Sequence, residues 1–213
     1  MSLPDFLFDG PKDATMTIAL AHGAGAAMDS PFMQEFAERL AGNGFRVARF
    51  EFPYMTKRRA DGTKRPPNRA PVLVETWNAV TDKLGAKNLI IGGKSMGGRM
   101  ASMVMAEREQ EGTQPAGLVC LGYHFHPPGK PKNLRVEHLR ELVTPALICQ
   151  GTRDTLGNKD ETANYMLSLS VRFHWLEDGD HGFKPRQKSG LTEEENWTSA
   201  ISAITDFANG LAT

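Results

Sequence analysis

Leu89-Ile90-Ile91-Gly92-Gly93-Lys94-Ser95-Met96-Gly97-Gly98-Arg99 is the stretch of this chain on which the rest of the reading turns. An apolar, β-forming run gives way here to helix-forming residues, and one serine stands at the change among four glycines. A surface turn needs one or two glycines, whereas four imply a backbone path that side chains would obstruct. Residues 93–97 fit G-x-S-x-G, in which a serine occupies a strained strand-to-helix turn and small flanking residues let that turn close. Gly93 and Gly97 are expected to serve the turn, Gly92 and Gly98 to ease the approach of strand and helix. Met96, Met100 and Met103 keep helical spacing beyond the serine and read as helix core.

Working outward, β-rich runs and amphipathic runs alternate throughout, the pattern of a parallel sheet with helices on both faces. "TMTIALAHG" (15–23) reads as a buried strand. Ser30-Pro31 then supplies an N-cap and an N1 proline for a helix whose Phe32, Phe36, Ala37 and Leu40 share one face. "FRVARFEF" (45–52) is a strand, 54–71 reads as irregular, and a helix is expected around 72–84. "AGLVCLGY", "PALICQG" and "VRFHWLE" read as further strands, with helices near 136–142 and 158–168 and a closing helix over 193–207. No repeat or linker interrupts the order, so 213 residues are expected to form a single domain, 1–213.

Lys plus Arg and Asp plus Glu both number 25, so no global field recommends nucleic acid or an anionic membrane as partner. Cys120 and Cys149 lie in apolar runs and read as buried, reduced thiols. The N-terminus lacks a basic segment followed by an apolar one, and no run approaches a membrane-spanning length, so a cytoplasmic address is expected. The one biased segment is 57–69, where Lys57, Arg58, Arg59, Lys64, Arg65 and Arg69 face a single Asp61. A solvated loop accounts for it; a basic rim that steers anionic substrates, or that contacts a partner protein, is the functional alternative.

A serine hydroxyl is a poor nucleophile until a base takes its proton, so the turn calls for a histidine oriented by a carboxylate. Groups that act together in open α/β sheets lie beyond the carboxyl ends of the strands. Asp154 follows "PALICQG" and His181 follows "VRFHWLE", giving the chain order Ser95, Asp154, His181. Asp178 and Asp180 are too near His181 in the chain to orient its ring, and Asp160 reads as a first-turn helix acid. Glu51 is a candidate partner for Lys94 or Arg99. A tetrahedral oxyanion needs donors, and the Met96 amide with that of Ala24 in "AHGAGAAMDSP" is the expected pair, Gly25 being the alternative. His22, Gly25, His124 and His126 are candidate substrate contacts. His174 reads as a strand residue and His138 as a helical one. The H-x-H pair at 124–126 has no third ligand at convincing spacing, so no metal or other cofactor is expected.

"LAHGAGA", "FRVARFEFPYM", "IIGGKSMGGRMAS", "CQGTRDTLG" and "DGDHGF" together resemble the α/β-hydrolase superfamily, over nearly the whole chain. Within it they are similar to a branch of small predicted hydrolases related to dienelactone hydrolases, which also includes hydrolase-like domains of eukaryotic proteins, one of them in a chromatin-modifying complex. The resemblance implies a mostly parallel central sheet of about six or seven strands and a Ser-Asp-His triad, matched by Ser95, Asp154 and His181. Dienelactone hydrolases use a cysteine nucleophile, so serine at 95 points toward esterase chemistry. Only about two dozen residues separate the strand near Leu121 from the one near Ala146, too few for a large lid domain. The expected activity is cleavage of a small carboxylic ester or thioester; the alternative is a catalytically vestigial module that binds a partner protein through 57–69.

Overall fold

Strands with apolar residues at every position need cover on both faces, and the chain supplies it. The computed structural model describes residues 3–212. Its strands are β1 (Phe6–Asp9), β2 (Thr17–Ala21), β3 (Arg46–Phe50), β4 (Leu89–Lys94), β5 (Gly117–Leu121), β6 (Ala146–Gly151) and β7 (Val171–Leu176). They form one seven-stranded sheet in the order β1-β3-β2-β4-β5-β6-β7. All neighbours run parallel except the β1–β3 pair, which is antiparallel with Phe6 opposite Phe50.

The helices are α1 (Pro31–Gly42), α2 (Pro53–Asp61), α3 (Ala70–Leu84), α4 (Met96–Glu111), α5 (Lys159–Thr162) and α6 (Glu193–Leu211). Alternate strand residues feed two cores. Ile18, Leu20, Ile90 and Val119 pack with Phe36 and Leu40 of α1 and Ile201 and Ile204 of α6. Ala19, Ala21, Ile91 and Leu118 pack with Trp77 and Val80 of α3 and Met100 and Val104 of α4. Cys120 belongs to the second core and Cys149 to the first, on opposite faces of the sheet, and both are free thiols.

Four elements depart from the sequence expectation. β1 forms where none was expected, because its four residues gain their ladder only from β3 on the sheet edge. Pro53 opens α2 inside the segment expected to be irregular; only Tyr54 and Met55 are buried there, too few to leave a helical period in the sequence. The helix expected at 136–142 shrinks to a 3-10 turn at Glu137–Leu139, since Val136, Leu139 and Leu142 are buried at a spacing of three. The helix expected at 158–168 stops after one turn, α5, although Asn158 and Glu161 form a full capping box. Beyond it Tyr165 leaves the helical path to meet the Phe125 ring, and the Ser168 amide donates to the Leu139 carbonyl at 3.0 Å. Residues 122–145 carry only that 3-10 turn, so no lid domain covers the sheet edge.

Candidate active site

Ser95 stands at the switch from β4 to α4 with φ 52° and ψ −110°, a conformation rare for a side chain larger than glycine's. Two hydrogen bonds fix it. Its amide donates to the Leu121 carbonyl of β5 at 2.9 Å, and its carbonyl accepts from the Arg99 amide at 3.0 Å. The adjoining glycines are required by close approach. A Cβ at Gly93 would stand 2.1 Å from the Ala21 carbonyl oxygen, and one at Gly97 would stand 2.5 Å from the same atom. Gly92 and Gly98 are closed as well, by the Val119 and Gly93 carbonyls at 1.9 and 2.5 Å, so they do more than ease packing.

Ser95 Oγ lies 2.9 Å from His181 Nε2, and His181 Nδ1 lies 2.8 Å from Asp154 Oδ2. Asp154 is 0% exposed. The Leu156 amide donates to its Oδ1 at 2.9 Å and Gln150 Nε2 to its Oδ2 at 2.9 Å. A carboxylate held this way accepts the Nδ1 proton, which leaves Nε2 able to take the serine proton. Asp154 and His181 meet because the turns after β6 and β7 interlock: a Cβ on Gly151 would stand 2.3 Å from the Gly179 carbonyl oxygen.

The His181 turn is tied on every side. Asp178 and Phe183 both take positive φ there, 52° and 75°. Asp180 Oδ1 accepts from the Gly182 and Lys184 amides at 2.7 and 3.0 Å, and Asn196 of α6 donates to the Phe183 carbonyl at 2.8 Å. Asp178 binds Arg153 and Arg186, which hold its carboxyl well below the usual carboxylate range, Arg186 foremost. Neither aspartate reaches the His181 ring, as the sequence suggested. Lys94 donates to the His181 carbonyl, and its ammonium lies 5.3 Å from the Phe32 and Phe183 ring centres. Burial pushes Lys94 down to about 8.

The loop after β2 is held from beneath. The Phe52 amide donates to His22 Nε2 at 3.2 Å, so Nδ1 carries the ring proton and donates to the Gly23 carbonyl at 2.7 Å. Tyr54 Oη donates to the Gly23 and Ala24 carbonyls at 3.3 and 3.0 Å. In a trans peptide the next N–H points opposite its carbonyl, so the Ala24 and Gly25 amides face away from Tyr54. On the helix side, the amides of Met96, Gly97 and Gly98 in the first turn of α4 have no intrahelical acceptor.

A cleft of about 680 Å³ opens over the serine, lined by Gly23, Ala24, Gly25, Phe32, Ser95, His181 and Trp197 among others. Of the four candidate contacts, only Gly25 lines it. His22 is 0% exposed and serves the loop from below, its burial lowering the affinity of its ring for a second proton. His126 is 2% exposed and bonds the Pro127 carbonyl and Glu161 at 3.1 and 3.3 Å. His124 is half-buried, with Arg135 Nη1 at 3.2 and 3.3 Å from its two ring nitrogens. Among the described residues, no group of three or more His, Cys, Asp or Glu is placed to hold a metal ion. Glu51 pairs with Arg59 at 2.6 Å, not with Lys94 or Arg99. Within 57–69, Arg59 also binds Asp29 and Arg65 binds Asp61.

Sequence reasoning missed Gln150, whose Oε1 accepts from the Tyr123 amide at 2.6 Å and whose Nε2 also reaches the Gly157 carbonyl at 3.0 Å. A signal was there: it is a polar residue inside an otherwise apolar strand, "ALICQG". The helical span of 18 apolar residues needed to cross a membrane is absent among the described residues.

Solved structures share this arrangement of strands and helices. A monoacylglycerol lipase from Paleococcus ferrophilus superposes with a TM-score of 0.71 at 14% identity, over 96% of this chain and 99% of that one. Est1E from Butyrivibrio proteoclasticus, with ferulic acid bound, gives 0.69 at 12% identity, over 95% and 94%. A dienelactone hydrolase from Anabaena variabilis gives 0.66 at 22% identity, over 94% and 88%. At such identities the likeness concerns the fold. The sequence itself matches the alpha/beta hydrolase domain family over residues 14–209, nearly its whole length, and on that match the chain belongs to the alpha/beta hydrolase family.

Proposed function

We propose that this chain is a cofactor-free serine hydrolase that cleaves a small carboxylic ester or thioester through an acyl-enzyme on Ser95. The observation that carries the reading is the unbroken relay from Ser95 Oγ to His181 to buried Asp154, at 2.9 and 2.8 Å. His181 Nε2 takes the hydroxyl proton as Oγ attacks the carbonyl, and the Met96 and Ala24 amides receive the oxyanion. The proton then passes from His181 to the departing alcohol or thiol. Water, activated by the same histidine, releases the acid and restores the serine. Asp154 keeps the ring in the tautomer this cycle needs, and Gln150 keeps Asp154 in place.

The open cleft and the absence of a lid among residues 122–145 support small or protruding soluble esters over long lipids. The single-domain reading of the whole chain accords with one sheet spanning β1 to β7. The alternative, a vestigial module binding a partner through 57–69, has less support, because Arg59 and Arg65 are already engaged by acids of this chain. Replacing Ser95 by Ala tests the proposal. Turnover of p-nitrophenyl acetate should fall by a factor on the order of 10⁶ if the three residues act as a unit. Unchanged turnover would end the assignment.

A further inference from the structure

Arg49, Arg59, Arg108 and Arg186 each bind an aspartate or glutamate. Arg99 does not. It stands one helical turn beyond Ser95, its amide bonded to the Ser95 carbonyl, with a half-buried side chain. Its Nε is sealed from solvent with no hydrogen-bond partner among the described residues. Arg46 has a sealed Nε too, but it donates to the Lys12 carbonyl at 3.1 Å and covers the Phe8 ring at 4.3 Å. Around Arg99 the influences are mixed: Arg135 repels its charge, while Tyr123 and Glu137 favour it without an ion-pair contact. Burial, the largest influence, disfavours its charged form.

Arg135, whose charge acts on Arg99, is anchored in the segment after β5. Its amide donates to the Phe125 carbonyl at 2.8 Å, its carbonyl accepts from Tyr123 Oη at 3.1 Å, and its guanidinium meets the His124 ring. His124 feels the charges of Arg135, His181, Arg99 and Asp154 after its own burial, so it is near both the relay and the arginines. Burial pushes the ring down to about 4, so it is neutral near pH 7. A partly desolvated guanidinium that no carboxylate contacts destabilises a fold. Such an arrangement is retained where an incoming anion completes it, and a planar guanidinium matches a carboxylate in two parallel hydrogen bonds.

We propose that Arg99 and Arg135, with His124 beside them, form a subsite that binds a carboxylate carried by the substrate, a few bonds from the carbonyl that Ser95 attacks. This rests on the serine-hydrolase reading and narrows its substrate class to acidic esters or thioesters, such as half-esters of dicarboxylic acids. The balance of the reaction is unchanged: the acyl–oxygen or acyl–sulfur bond breaks, and the carboxylate is held throughout.

The test compares 4-nitrophenyl hydrogen glutarate with its neutral methyl ester, which share one acyl length. Wild-type kcat/KM should favour the anionic ester by about tenfold or more, the range of one charge-assisted contact. Arg99→Gln and Arg135→Gln should each bring that ratio toward one, whereas Arg172→Gln, on the exposed side of β7, should keep it. A ratio near one in the wild type, or one that both variants preserve, overturns the subsite. Binding gives an independent readout should neither ester be hydrolysed, a result that would count against the hydrolase reading alone. Monomethyl glutarate titrated into ¹⁵N-labelled Ser95→Ala protein should shift the Arg135 side-chain resonance, with at least tenfold weaker binding once Arg99→Gln is added. No shift overturns the proposal, and so does inorganic phosphate binding more than tenfold tighter than the carboxylate. Arg99→Met should melt at or above the wild-type temperature, since it removes an uncompensated cation; a clear loss of Tm would make Arg99 a structural residue and overturn the proposal as well.

Discussion

Gly97→Ala isolates the spacing between the two halves of the proposed oxyanion site. The added methyl would lie 2.5 Å from the Ala21 carbonyl oxygen and 2.7 Å from that of His22. An ordinary carbon–oxygen contact is about 3.3–3.6 Å, so relief requires a movement of about 0.8–1.1 Å. β2 cannot give way, being hydrogen-bonded to β3 on one side and β4 on the other. The first turn of α4 must therefore tilt, and it carries the Met96 amide away from Ala24. Donors act at about 2.7–3.1 Å, and loss of one costs about 10²–10³ in kcat. Overpacking of this kind also costs about 1–3 kcal/mol of stability, a fall in Tm of about 2–12 °C for a chain of this size. Steady-state hydrolysis of p-nitrophenyl acetate and a thermal melt of the same sample read both effects. A variant with kcat within twofold of wild type would refute the claim that this contact sets the oxyanion spacing.

Three further expectations follow from the neighbouring residues. Gln150→Leu should lower stability by about 2–4 kcal/mol in urea melts, because the Tyr123 amide and the Gly157 oxygen lose their partner and Asp154 Oδ2 loses one of two; an unchanged midpoint would contradict that role. Arg59→Met should cost about 2–3 kcal/mol by leaving buried Glu51 without its cation, and Glu51→Gln in the same background should recover part of the loss. If the double variant is no more stable than the single one, the pair is not the cause. Lys94 binds its proton less tightly folded, at about 8, than unfolded. The unfolded chain then holds more protons between pH 8 and the ordinary lysine range, so this group's contribution to stability rises with pH there. The stability of Lys94→Met minus that of wild type should accordingly become more negative from pH 7 to pH 10, and a flat difference would refute the assignment.

The parts of the fold that were legible are those whose cause is local. β2, β4, β5 and β6 are covered on both faces, and that leaves unbroken apolar runs in the sequence. Ser95 could be placed because a strained turn demands glycines, and Asp154 and His181 because each follows a strand at its carboxyl end. What stayed hidden depends on distant partners. β1 exists through its register with β3, and α2 shows only two buried residues. His22, His124 and His126 are the same letter in similar loops, and burial alone separates the one beneath the Gly23 loop, the one beside Arg135 and the one tied to Glu161. Arg99 was legible only as a candidate partner of Glu51, since nothing local tells that its Nε would be sealed without a partner.

The central claim is that Ser95 is a nucleophile, and covalent labelling measures it without knowledge of the natural substrate. Folded protein treated with a fluorophosphonate should gain one adduct per chain by intact-mass spectrometry, mapped to the peptide containing Ser95, and Ser95→Ala should gain none. No adduct on the folded wild type, or an equal adduct on the Ser95→Ala protein, would contradict the account.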